Sequence, residues 1–111
     1  RGQRNNNPIN LMYARQKEST GPDDKGFAVF PDAPAGWRAA HRQIGLDRGR
    51  GLTLAQFIHK FAPPTENDTD NYLTFVADTL REGRDTPLSD ISPLALAGVM
   101  AEMEGYYEEE T

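Results

Sequence analysis

The sequence predicts a mainly helical α+β domain, with about four helices that follow a small N-terminal β ribbon. After residue 31, apolar residues recur at helical spacing in four segments. Each segment is bounded by capping residues, Pro or Gly. The first 26 residues instead carry turn-forming clusters around short apolar runs. We therefore expect a single domain over residues 1–111, with a polar loop and ribbon region at 1–26 and an acidic tail at 106–111.

The ribbon is predicted from two short apolar runs, residues 9–13 and 27–30. They lie on either side of a turn cluster at residues 19–24, which is rich in Gly, Pro and Asp. Such runs can pair as two strands. Because a lone hairpin is only marginally stable in water, we expect this ribbon to pack on helices.

The first two helices are predicted from their caps and from the residues that end them. Asp32 caps the first helix, which is expected to end at Gly45. Thr53 opens the second helix with the spacing of a capping box, and the prolines at 63–64 end it. The apolar stripes of these two helices are formed by Trp37, Ala40, His41 and Ile44, and by Leu54, Phe57, Ile58 and Phe61.

The last two helices follow the same logic. The third is capped within residues 65–69 and is expected to close at Gly83. Ser92 before Pro93 opens the fourth, which runs to Gly105. Their stripes are formed by Tyr72, Phe75, Val76 and Leu80, and by Leu96, Val99, Met100 and Met103.

Composition excludes several classes of function. The net charge of −5 argues against a nucleic-acid binder, which needs a basic surplus. No apolar run approaches the ~20 residues that span a bilayer, so no membrane insertion is expected. The absence of Cys excludes disulfides, thiolate zinc sites and Cys nucleophiles, and His41 and His59 are too far apart for a helical metal pair. We expect no metal and no other cofactor. Because the chain begins with Arg1, we interpret it as a domain excised from a longer protein.

Glu104 is the first candidate for chemistry. It lies at the predicted end of the last helix, where the helix dipole is negative, and Glu102 and the acidic residues 108–110 are nearby. Like charge and partial burial favour the protonated form of a carboxyl group. Such an acid can protonate the leaving oxygen of a glycosidic bond. The alternative is a solvated helix end, with Gly105 as an ordinary left-handed cap.

Two polar clusters are the other candidates. The segment at residues 63–69 contains Glu66 and Asn67, and Tyr72 lies in the first turn behind it. A carboxylate, amide groups and an aromatic ring suit the rim of a sugar site, although a helix stop and start explain part of the same segment. The run Asn5, Asn6 and Asn7 is either a second part of a site or a plain loop, since Asn favours turns.

Together these motifs resemble a family of phage virion proteins that carry a lysozyme-like, peptidoglycan-degrading domain. The matching segments are residues 4–11, Phe27 and Phe30 with the following Gly36-Trp37, residues 61–69, and residues 103–105. The chain is also distantly similar to flagellar and autolysin-type glucosaminidases. In those enzymes the helix of the catalytic Glu precedes the ribbon, whereas here it comes last, as a circular permutation would give.

The resemblance implies a lysozyme-like fold and cleavage of peptidoglycan glycan strands by a muramidase or lytic transglycosylase. It implies Glu104 as the general acid, with Glu66 as a second catalytic carboxylate. It implies Asn6, Asn7, Asn67 and Tyr72 as substrate-binding residues. Expected partners are glycan strands and other virion or tail proteins, and the expected location is the virion, acting on the cell wall in the periplasm.

Two positions depart from the family pattern. Ile9 stands where the pattern has Gly, which makes a left-handed turn unfavourable at that position. Met103 stands where a His is frequent and removes one partner for the acid.

Two other functions compete with glycan cleavage. A non-catalytic virion structural or wall-binding module can use the same lysozyme-like scaffold, because a fold alone does not fix a function. A nucleic-acid binder would rely on Arg1, Arg4, Arg48 and Arg50, against the overall negative charge.

Overall fold

Five α-helices and a two-stranded antiparallel sheet form the computed structural model, which describes residues 2–65 and 68–107. This architecture confirms the predicted mainly helical α+β class with a small ribbon near the start. The elements in chain order are α1 (Gly2–Asn5), β1 (Gly21–Pro22), β2 (Ala28–Val29), α2 (Ala33–Gly49), α3 (Leu54–Phe61), α4 (Thr69–Leu80), a 3-10 turn (Leu88–Asp90) and α5 (Pro93–Met103).

The helix starts are where the capping residues predict them. The carboxylate of Asp32 accepts a hydrogen bond from the N–H of Ala35 at 2.9 Å. Thr53 and Gln56 form a complete capping box at the start of α3, and Ser92 caps α5. These side chains satisfy backbone donors that the first helical turn leaves without intrahelical partners.

Two predicted helix ends are wrong. α2 runs through Gly45 and ends at Gly49, because one helical Gly costs only about 1 kcal/mol and the helix is packed against α5. α4 ends at Leu80 rather than at Gly83. Arg81 supplies the left-handed residue of that C-cap, with φ of 57°.

The ribbon also differs from its predicted pairing. β1 pairs with β2 across the turn, so Gly21–Pro22 takes the place expected for residues 9–13. The expected partners keep one antiparallel bridge, between Met12 and Phe27. Residues 27–30 are therefore bonded on both edges, which the apolar pattern alone does not reveal.

The core lies between α2, α4 and α5, and α3 packs on α4. α5 is the most apolar helix, and it contacts both α2 and α4. The largest fully buried side chains come from every layer: Ile9, Phe30, Ile44, Leu54, Phe57, Ile58, Leu73, Val76, Leu88, Leu96 and Met100. The central position of α5 determines where its C-terminal end, and hence Glu104, meets the rest of the molecule.

Candidate functional site

Glu104 is held in place by the backbone at the end of α5. It is the C-cap residue, and Gly105 follows with φ of 77°. The N–H of Tyr106 donates to the carbonyl of Ala101 at 2.9 Å, and the N–H of Gly105 donates to that of Glu102 at 3.1 Å. This bonding is a Schellman motif, which needs a left-handed residue after the cap. The predicted left-handed glycine is therefore present, and it fixes the direction in which Glu104 leaves the helix.

The carboxylate of Glu104 is half-buried and is bonded on both oxygens. The hydroxyl of Tyr72, on α4, donates to Oε2 at 2.8 Å. The side-chain amide of Asn10, in the loop after α1, donates to Oε1 at 3.0 Å. Residues separated by 32 and 94 positions in the chain thus meet at one carboxyl group.

Tyr72 supports this arrangement from the core. It is 4% exposed, and its ring packs edge-on against Phe61. Burial raises the pKa of Tyr72 well above its usual value, and the charge of Glu104 and the hydrogen bond to it raise the pKa further. The hydroxyl therefore stays protonated and available as a donor. Tyr72 was predicted to bind substrate, and the structure places its hydroxyl on the candidate acid.

Asn10 is a site residue that sequence reasoning missed. Its φ is 53°, in the left-handed region, which Asn tolerates better than most residues. Its Oδ1 atom is buried and has no hydrogen-bond partner within the described part of the chain. The only available signal was its place two residues after Pro8, at the end of the Asn-rich turn.

A depression of about 150 Å³ opens beside Glu104. Five of its seven lining residues are apolar or aromatic, and the other two are Asn10 and Glu104. Among the described residues that line it, Glu104 is the single carboxylate. The lining residues are Asn10, Met12, Phe27, Phe61, Ala62, Pro63 and Glu104.

The three consecutive asparagines hold the loop together. Asn7 is fully buried: its amide donates to the carbonyls of Leu11 and Ala28, and its Oδ1 accepts from the N–H of Leu11. Asn6, with φ of 52°, donates to the carbonyl of Phe30 at 3.1 Å. Both side chains were predicted to bind substrate, and the structure shows both bonded to backbone atoms of the protein. Their contacts connect the turn to the ribbon and so place Asn10.

The remaining predicted site residues, Glu66 and Asn67, lie outside the described residues. Over residues 2–65 and 68–107, no group of three or more His, Cys, Asp or Glu side chains is arranged to hold a metal ion. Within the same residues, no helix combines the length and apolarity needed to cross a membrane.

Comparison with known proteins identifies a phage protein as a relative. No protein-family model matches the chain. Over 117 residues, the chain is 32% identical to Protein P5 of Pseudoalteromonas phage PM2, and the alignment covers 94% of this chain and 70% of that protein. The chain belongs to the family of Protein P5. The bacteriophage part of the predicted resemblance is thus confirmed, because this relative of the chain is a phage protein.

In this member of the Protein P5 family, two side chains from distant parts of the sequence bond the carboxyl group of Glu104. The two donors to Glu104, an amide and a phenol, are both neutral. The Tyr72 hydroxyl can donate to the ionised carboxylate or accept from the protonated acid. The two hydrogen bonds therefore orient the carboxyl group without placing a charged donor on it.

Proposed function

We propose that this protein cleaves the glycan strands of peptidoglycan, with Glu104 as the general acid. The observation that supports this most is the anchoring of one carboxyl group by Asn10 and Tyr72 beside an open depression. Phe27 and Phe61 line the same depression, and aromatic rings suit the flat faces of sugar rings. Its supporting groups come from α4, α5 and the loop after α1, so they hold it in a fixed orientation.

The reaction we propose breaks the β-1,4 bond between N-acetylmuramic acid and N-acetylglucosamine. Glu104 gives its proton to the bridging oxygen, which leaves with the N-acetylglucosamine as a free hydroxyl. Positive charge develops at C1 of the muramyl ring. A positioned acid contributes about 10²–10⁴-fold to such a step.

Capture of the muramyl C1 by its own 6-hydroxyl completes the reaction as a lytic transglycosylase. The 6-oxygen bonds to C1, and its proton passes to the Glu104 carboxylate, which restores the acid. We favour this course because Glu104 is the single carboxylate among the described residues of the depression. A hydrolase would need a second carboxylate to hold water, at about 5–5.5 Å for retention or about 6.5–9.5 Å for inversion. Glu66 is the residue to test for that role.

The testing experiment compares Glu104→Gln with Glu102→Gln on purified sacculi. Glu102 is exposed in the last turn of the same helix, so it controls for the loss of one negative charge. We expect the Glu104 variant to lose at least about 100-fold of its activity while keeping its circular dichroism spectrum, and the Glu102 variant to keep its activity. Full activity in the Glu104 variant would refute the assignment.

Mass spectrometry of the released fragments decides the reaction type. Products ending in 1,6-anhydromuramic acid support the transglycosylase, and reducing ends support a hydrolase. If the wild-type protein binds sacculi and releases no fragments, the alternative of a non-catalytic virion or wall-binding module replaces the enzyme. We further propose that the protein acts from the virion on the cell wall, in keeping with its phage relative.

A further inference from the structure

The depression beside Glu104 continues into two others, and together they form what we call the trough. The second depression, of about 250 Å³, shares Asn10, Met12 and Phe61 with the first. The third, of about 380 Å³, shares Ala14, Gln16 and Gln43 with the second. A chain of several sugar rings is the kind of ligand that such a series of adjoining depressions can take.

The two ends of the trough carry different ionisable side chains. Glu104 lies at the first end, and its bonded partners are neutral. Lys60 lines the middle depression, and Arg15, Lys17 and Arg42 line the far one. These four cations lie along one surface of a chain whose net charge is −5, so the positive charge is concentrated here against the overall balance.

Acidic side chains near the trough do not cancel this charge. Asp47 is buried in the middle depression and accepts hydrogen bonds from Lys60 at 2.6 Å and from Arg50 at 2.7 Å. Although burial raises the pKa of Asp47, bonds from Lys60, Gln43 and Arg50 outweigh that effect and hold the pKa below its usual value. One carboxylate thus faces two cations, and a net positive charge remains.

The same surplus exists at the far end. The guanidinium group of Arg38 donates a hydrogen bond to the carboxylate of Glu18, with an N–O distance of 2.6 Å. The hydrogen bond from Arg38 lowers the pKa of Glu18, and the charges of Arg38, Arg42 and Lys17 lower it further. Three cations therefore act on one acid, which leaves Lys17 and Arg42 able to attract an anionic ligand.

We infer that the far end of the trough binds the carboxylates of the peptide stems carried by muramic acid, on the strand whose scissile bond lies at Glu104. This inference rests on the proposed function and extends it. The amides of Asn10, Gln16 and Gln43 line the trough, and each donates one hydrogen bond within the protein. The second N–H of each amide suits the hydroxyl and acetamido groups of sugars. The peptide stems carry the negative charge of such a strand. Lys17 and Arg42 line the far depression, so stem carboxylates bound there lie in a different depression from Glu104.

The experiment measures binding without cleavage, in the Glu104→Gln background, by titration calorimetry. The ligands are soluble glycan fragments with their peptide stems and the same fragments after enzymatic removal of the stems. We expect stem-bearing fragments to bind about fivefold to tenfold more tightly. Adding Lys17→Gln and Arg42→Gln should abolish that difference. Adding Arg81→Gln, which removes a positive charge at the end of α4 outside the trough, should preserve it.

Equal binding of the two fragments by the parent variant would overturn the inference. So would a single-stranded DNA oligonucleotide that binds as tightly as the stem-bearing fragment and depends on the same two residues, because the surface would then recognise phosphates. The proposed cleavage is tested separately, with the wild-type protein on sacculi. Stem-dependent binding without cleavage would remove the catalytic proposal and keep the binding site, whereas cleavage without stem preference would do the reverse.

Discussion

Gly36 lies in the first turns of α2, where the helix passes directly over the Asn-rich turn. A Cβ atom added at this position would lie 1.8 Å from the carbonyl oxygen of Asn6 and 3.0 Å from Cδ of Pro8. Both neighbours are backbone or ring atoms, so no side-chain rotation can relieve the overlap. Gly36→Ala therefore forces α2 and the turn apart by more than an ångström.

The expected cost follows from two opposing effects. Alanine is favoured over glycine within a helix by about 1 kcal/mol, which acts in favour of the variant. Overpacking a well-filled site costs about 1–3 kcal/mol and sometimes more, and a clash with backbone belongs at the upper end. We expect a net loss of about 2 kcal/mol in the free energy of unfolding, or more if the clash costs more than about 3 kcal/mol, against the about 5–15 kcal/mol of a typical domain.

The assay is equilibrium unfolding in urea, with Gly45→Ala as the matched control. Gly45 lies in the same helix, and apart from its neighbours and the helix's own backbone, no atom of the described residues lies within 4 Å of its added Cβ. The control should therefore gain about 0.5–1 kcal/mol. If Gly36→Ala is as stable as the wild-type protein, or if both variants shift in the same direction, the close approach of α2 to the turn is not a feature of the folded protein.

Three other substitutions test the elements around the site. Asn7→Ala removes three buried hydrogen bonds and should cost about 2–4 kcal/mol, measured by urea unfolding; a loss below about 1 kcal/mol would contradict the structural role. Because the pKa of Tyr72 is raised in the folded state, the contribution of Tyr72 to stability should be constant below about pH 10 and fall above it, where the unfolded tyrosine ionises. Tyr72→Phe should remove most of that fall, and an unchanged pH profile would argue against the buried hydroxyl. Because the pKa of Asp47 is lowered, its contribution is present above about pH 4 and is lost as the pH falls further; Asp47→Asn should flatten this acid limb, and thermal melts between pH 2 and 6 will show whether it does.

The helices could be predicted from the sequence because their signals are local. A cap such as Asp32 or Thr53 and the stripe that follows it lie within one stretch of chain. Gly45 was misjudged because a helical glycine looks the same in sequence whether the helix ends or continues. Packing against α5 decides whether the helix ends at Gly45 or continues, and a short stretch of sequence does not predict that packing.

The candidate site was predictable only in part, for a related reason. The helix end and the glycine that follows it mark Glu104 locally. Its partner Asn10 is 94 residues away along the chain, and no local sequence pattern around Asn10 predicts that contact. The pairing of β1 with β2 was missed because Gly21–Pro22 has none of the apolar character expected of a strand.

The Asn-rich turn connects these observations to the chemistry. The sequence associates Asn6 and Asn7 with the site, yet their side chains bond to the backbone of the ribbon and the loop. Left-handed backbone occurs at Asn6 and Asn10, and Ile9 between them is fully buried in the core. Anchoring by Asn7 and by Ile9 therefore fixes the loop from which Asn10 reaches Glu104. If the proposed catalysis is right, weakening this turn should lower kcat more than it raises KM, because the loss falls on the orientation of the acid rather than on contacts with the substrate.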